Sequence, residues 1–142
     1  MKVKSVVEVF VFIGGVLGSA IGGWDFSIFL LSMFVLVDFI QGLYIAWFLH
    51  KSPKTKSGKA SSKVGFHGIG KKVSIFMVVA LMHGIDIMFD IDYLRTATIF
   101  AYMFNEGTSI IENLIIMDVY VPEIVKRGID LLDKKEGESH ED

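Results

Sequence analysis

One stretch near the C-terminus limits most strongly what this chain can fold into. Residues 95–117, RTATIFAYMFNEGTSIIENLIIM, are long enough to cross a bilayer, yet they carry two glutamates, two asparagines, an arginine and several hydroxyls. On a helix at about 100° per residue, Arg95, Thr98, Tyr102, Asn105, Glu106, Ser109 and Asn113 share one arc, with Glu112 at its edge. From Arg95 to Asn113 the stripe runs about 27 Å, close to the hydrocarbon thickness of a membrane. The rest of the wheel is apolar. A polar stripe of that length cannot face lipid and must face protein or water.

The remainder of the chain supports a membrane setting. Of 142 residues, 52% are hydrophobic, and the mean hydropathy is +0.54, values that would leave a soluble domain with uncovered apolar surface. The sequence predicts an all-α integral membrane protein with four transmembrane helices, at about 6–23, 26–49, 73–89 and 95–117. Residues 122–142 form a C-terminal amphipathic helix and a charged tail. Cysteine is absent, which excludes disulfides and thiol chemistry.

The first segment places Gly14, Gly18 and Gly22 at four-residue spacing, a pattern that lets helix backbones approach closely in lipid. MKVK, an apolar run and GSA resemble a secretory signal. Glu8 interrupts that run and the apolar pattern recurs three more times, so a retained helix is expected. Trp24 stands in a short turn, at the level of the aromatic belt. The second segment carries Asp38 near its middle, with Gln41 and Gly42 on the same face. A mid-membrane aspartate is costly and faces the bundle interior.

Between the second and third segments lies a hydrophilic loop with Lys51, Lys54, Lys56, Lys59, Lys63, Lys71 and Lys72 and no acid. Such a loop marks the cytoplasmic side and suits anionic lipid heads. Nucleic acid is not the expected partner, because no aromatic stacking set accompanies the lysines. Lys2 and Lys4 put the N-terminus on the same side, and an even number of spans returns the tail there.

The third segment aligns His83, Asp86 and Asp90 on one face. They allow two readings: metal ligands, or a buried polar pair of His83 and Asp86 with Asp90 at the interface. The expected site has no cofactor and no metal. Glu106 and Glu112 do not form a catalytic pair, since six residues on a helix turn them about 120° apart. The polar stripe therefore has two uses: lining a water-filled pore built from several copies, or gluing helices together in a dry seam.

Three stretches carry a family resemblance: VDFIQGLYIAWF at 37–48, SSKVGFHGIGKKVSI at 61–75, and YMFNEGTSIIENLIIMDVYVPEIVKRGIDLL at 102–132. Together they resemble the toxin-secretion/phage-lysis holin family over residues 36–132. The resemblance marks Asp38, Gly42, Lys71, Asp86, Glu106, Ser109, Glu112, Asn113 and Pro122 as motif positions, none of them catalytic. One departure stands out, because Asp118-Val119 occupies the place where a glycine is expected before the Val-Pro step. The resemblance implies a non-enzymatic homo-oligomer of the bacterial cytoplasmic membrane. It would open lesions through which a cell-wall hydrolase (an endolysin) crosses and lyses the host. Non-lytic export of a toxin or hydrolase, and a small membrane adaptor without a pore, are the alternatives.

Overall fold

In a computed structural model, residues 2–128 are described. They form α1 (Lys2–Ala20), α2 (Phe26–Tyr44), α3 (Ser62–Phe89) and α4 (Leu94–Ile116). No strand occurs among the described residues. α2 runs on into a π-helical turn, Ile45–Leu49, which ends where His50 takes a left-handed conformation (φ 54°). Residues 123–128 are helical. The remainder of the expected amphipathic helix and tail, 129–142, lies outside the described residues.

Each helix ends for a local reason. α1 stops at Ala20 because Gly22 and Gly23 take positive φ (84° and 99°), and the Gly23 amide bonds back to the Gly18 carbonyl at 2.7 Å. The first helix is therefore 2–20 rather than 6–23. α2 begins at Asp25, whose carboxylate accepts the Ile28 N–H at 3.0 Å. α3 closes on Asp90, which is also left-handed (φ 53°). α4 has no capping side chain of its own, and Asp86 of α3 supplies one. Asp86 accepts the Leu94 and Arg95 N–H groups at 3.0 and 2.8 Å.

The largest change from the sequence expectation is α3. It starts at Ser62, eleven residues before the expected 73, so the loop shrinks to 50–61. Gly65, Gly68 and Gly70 lower helix propensity in 62–72. With Pro53 well upstream, nothing in that stretch forbids a helix, and Lys72 at its far end is anchored to Asp38 and Glu106.

Contacts at both ends show that α2 and α4 run parallel. Asp25 meets Arg95 at one end and Lys51 meets Asp118 at the other. α2 packs most extensively on α4, and α3 packs next on α4. Ile28, Leu31 and Val35 of α2, Ile75 and Val79 of α3, and Ile99 and Met103 of α4 form the core, with Ile21 closing one end. Outside it, Phe10 and Phe12 of α1, Phe29 of α2 and Phe100 and Phe104 of α4 are exposed. Water does not tolerate so much contiguous apolar surface, whereas lipid does. Three helices are long and apolar enough to cross a membrane: Val3–Ala20, Phe26–Leu49 and Ser62–Phe89.

Candidate functional site

Three helices each bring one charged side chain to a common level. Lys72 lies ten residues into α3, Glu106 ten before the end of α4, and Asp38 eleven before Leu49. At 1.5 Å per residue, each stands roughly 15 Å from the end nearest the lysine loop. There the Lys72 ammonium bonds the Asp38 carboxylate at 2.6 Å and also bonds Glu106. Asn113, two turns beyond Glu106, donates its amide to the other Asp38 oxygen at 2.9 Å. The Asp38 and Glu106 side chains are 7% and 4% exposed, so the carboxylates are out of solvent. Two carboxylates thus share one ammonium in the interior.

Attraction across such a cluster is strong in low dielectric, but desolvating the charges offsets much of it. The arrangement contributes specificity: only one register of α2, α3 and α4 lets Lys72 reach both acids. It has no nucleophile with an adjacent base and no group positioned for proton transfer to a substrate. It can hold three helices in one arrangement.

The sequence places Lys72 with the lipid-facing and topological lysines. Here it points inward, because it lies on the same face of α3 as Ile75, Val79 and Asp86. Carrying that spacing of three, four and seven residues one step back from Ile75 reaches Lys72. The signal exists in the sequence, and starting the helix at 73 hides it. Lys51, Lys54, Lys56, Lys59, Lys63 and Lys71 are exposed.

The α4 stripe divides. Glu106 and Asn113 enter the cluster, Thr98, Tyr102 and Ser109 are half-buried, and Asn105 and Glu112 are exposed. Arg95 leaves the stripe for the turn between α1 and α2. Its Nε bonds the Ile21 carbonyl at 2.5 Å, and its Nη1 bonds Asp25 at 2.8 Å. The Arg95 guanidinium beside Asp25 holds that carboxyl below the usual aspartate range, against a smaller upward push from burial.

The glycine series meets a different partner from the expected neighbouring helix. Trp24 folds back along α1, its indole N–H bonding the Gly14 carbonyl at 3.0 Å. Gly18 is bare because a Cβ there would run into that indole. Gly22 lies in the turn, where a Cβ would meet Arg95 at 2.6 Å and His83 at 2.9 Å. At Gly18 and Gly22 the close approach that glycine permits is therefore made within the chain, while a Cβ at Gly14 would meet nothing within 4 Å. His83 and Asp86 do not pair, since both Asp86 oxygens hold α4 amides. Among the described residues, no group of three acid or histidine side chains is placed to hold a metal. Gln41 is half-buried, and its Oε1 is a buried acceptor with no partner.

Asp118 accounts for the departure at the end of α4. Its φ is 59°, in the left-handed region where a glycine would be at ease. Aspartate is among the few other residues that tolerate it. The turn keeps its shape with a charged residue in place.

Apolar helices clasped by a buried ionic cluster define a small multi-helix membrane protein. The profile of the bacteriophage holin family matches residues 15–134, so the chain belongs to that family. An uncharacterized protein of Listeria monocytogenes is 38% identical over 129 residues, covering 90% of this chain and 86% of its own. An uncharacterized protein of Clostridium perfringens is 30% identical over 127 residues, with 88% of each chain covered. A probable holin of Bacillus phage phi105 is 32% identical over 91 residues, 63% of this chain and 62% of the phage protein. No solved structure matches significantly.

Proposed function

We propose that this protein acts as a holin. It oligomerises in the bacterial cytoplasmic membrane and opens lesions that release a cell-wall hydrolase. In this reading α4 is a fourth span, and both termini lie on the cytoplasmic side with the lysine loop. Residues 1–121 form the membrane domain, and 122–142 form a cytoplasmic segment at its surface. α4 has 23 residues, about 34 Å of helix, and two of its three charged groups, Glu106 and Arg95, are paired inside the chain.

The observation that carries self-association is the outer face of α4. Asn105 and Glu112 lie on it seven residues apart, exposed, beside Phe104 and Ile115. Neither has a side-chain partner among the described residues. Polar groups at membrane depth do not stay against lipid when another copy can cover them. The surface of α1, exposed along almost its whole length, is the second contact available to copies.

Opening then means exchanging contacts within the chain for contacts between chains. The Asp38–Lys72–Glu106 cluster is the element with two arrangements: closed within one bundle, or broken and re-formed around an aqueous lesion. Slow conversion between them supplies the delay that a lysis protein requires.

Inducing the protein alone in bacteria tests this. Collapse of the membrane potential followed by loss of viability is the expected result. An intact potential at high expression overturns the lesion. Passage of a co-expressed hydrolase with viability retained would point to export instead.

A further inference from the structure

A cavity of about 240 Å³ opens between the π-helical end of α2, the lysine loop and the first turns of α3. Its floor is the Asp38–Lys72–Asn113 part of the buried cluster. Lys54 and Lys59 stand at its mouth, with Ser52, Thr55 and Ser61 beside them. Phe39, Leu43, Ala46 and Val64 line its wall. Gly42, Gly65 and Gly68 also border it, and a Cβ on any of the three would meet nothing within 4 Å. The glycines therefore create the space and are not demanded by the backbone.

The charges around this space are unbalanced. Asp38 is the one acid on its surface, and both its oxygens are engaged by Lys72 and Asn113. No carboxylate among the described residues pairs with Lys54 or Lys59. A second recess shares Lys54 and adds Lys63, His67 and Lys71 along α3. The mouth is cationic, the wall is apolar, and Trp47 at the rim suits the interface level. Water would leave Phe39, Leu43 and Val64 wetted. An acyl chain alone would leave two ammonium groups without a counter-charge.

We infer that the cavity is a binding site for one anionic phospholipid. Its phosphate lies between Lys54 and Lys59 and accepts from the Ser52 and Ser61 hydroxyls, the Thr55 hydroxyl being committed to the Lys59 carbonyl at 2.9 Å. Its acyl chain lies along the channel left by Gly42, Gly65 and Gly68. A lipid seated there rests against the floor that Lys72 and Asp38 form, so its presence favours the closed cluster. This rests on the membrane placement proposed above but not on pore formation.

The test uses the full chain, purified in detergent and examined by native mass spectrometry with added lipid. Phosphatidylglycerol should remain bound at one copy per chain, and phosphatidylcholine should be lost at lower collision energy. A Cβ at Gly68 or Gly65 meets nothing within 4 Å, and leucine is the better helix former, so Gly68→Leu and Gly65→Leu should occupy the space and keep the fold. Each should abolish the retained lipid while the circular dichroism spectrum is unchanged. Lys54→Gln with Lys59→Gln should weaken retention about tenfold or more, the scale of a lost charge-assisted hydrogen bond. Inorganic phosphate at millimolar concentration should not displace the lipid, since it lacks the apolar half. Equal retention of both lipids overturns the inference, as does retention unaffected by filling the cavity, or displacement by phosphate. Membrane depolarisation by the wild-type chain, measured separately, distinguishes a failure here from a failure of the pore.

Discussion

Lys72 and Glu106, 34 residues apart, pair across the α3–α4 interface, and the same ammonium reaches Asp38 on α2. Removing the cation strands two carboxylates in the interior. Lys72→Met should therefore cost about 3–5 kcal/mol of stability, the scale of breaking a buried pair on one side. Replacing all three, with Asp38→Asn, Lys72→Met and Glu106→Gln, should recover much of that loss. Thermal unfolding in detergent measures both, and a Lys72→Met chain as stable as wild type would remove the cluster from the account.

Trp24 and Gly18 fit only as a pair. Gly18→Leu should push the indole off α1 and shift its fluorescence to longer wavelength, read in a Trp47→Phe background so that Trp24 is the sole emitter. Trp24→Phe removes the hydrogen bond to Gly14 and should cost about 1 kcal/mol.

Asp25 joins the α1–α2 turn to α4 through Arg95, and its folded pKa is depressed by that partner first. A depressed carboxyl stabilises the fold at pH values above its unfolded pKa, about 3.9 for aspartate. That stabilisation is lost as pH falls through the lower folded value. The stability difference between wild type and Asp25→Asn should be constant from pH 7 to about pH 5. It should shrink only below about pH 4. A difference that changes near neutrality would place the coupling elsewhere.

Gly58 closes the lysine loop, with φ at 71° and no room for a Cβ against the His50 carbonyl. Gly58→Ala should open the loop at a local cost of about 1–3 kcal/mol. Limited trypsin digestion of vesicles should then cut at the loop lysines faster, while the helices remain protected.

Asp118 separates backbone conformation from charge. Asp118→Gly should keep the turn and lose only the exposed Lys51 contact, worth about 0–1 kcal/mol. Asp118→Val should cost about 1–2 kcal/mol more, because a β-branched residue resists the left-handed region. Urea or thermal titration of the pair of variants gives the order, and equal losses would contradict it.

Much of the helical plan was legible in the sequence. The apolar runs, a short turn at Trp24 and the inward demand of Asp38 follow from side-chain solvation and local backbone preference, whereas the earlier end of α1 at Ala20 does not. The start of α3 did not, because glycine-rich 62–72 has weak local helix preference. The partners of Arg95 and Trp24 were equally hidden, since each meets residues that only the turn of the chain brings near.

By itself the sequence determined that this chain is helical, that long stretches belong in lipid, and that 95–117 must turn polar groups away from it. Those conclusions depend on one helix at a time and on the cost of placing charge in hydrocarbon. Only the tertiary structure decided where the polar groups go. Glu106 and Asn113 turn to Asp38 and Lys72 in a buried seam, Arg95 turns to a neighbouring turn, and Asn105 and Glu112 stay outside. A wheel gives the direction of a side chain about its own axis. It does not give the identity of the helix standing there, which depends on the relative height and rotation of three helices packed together.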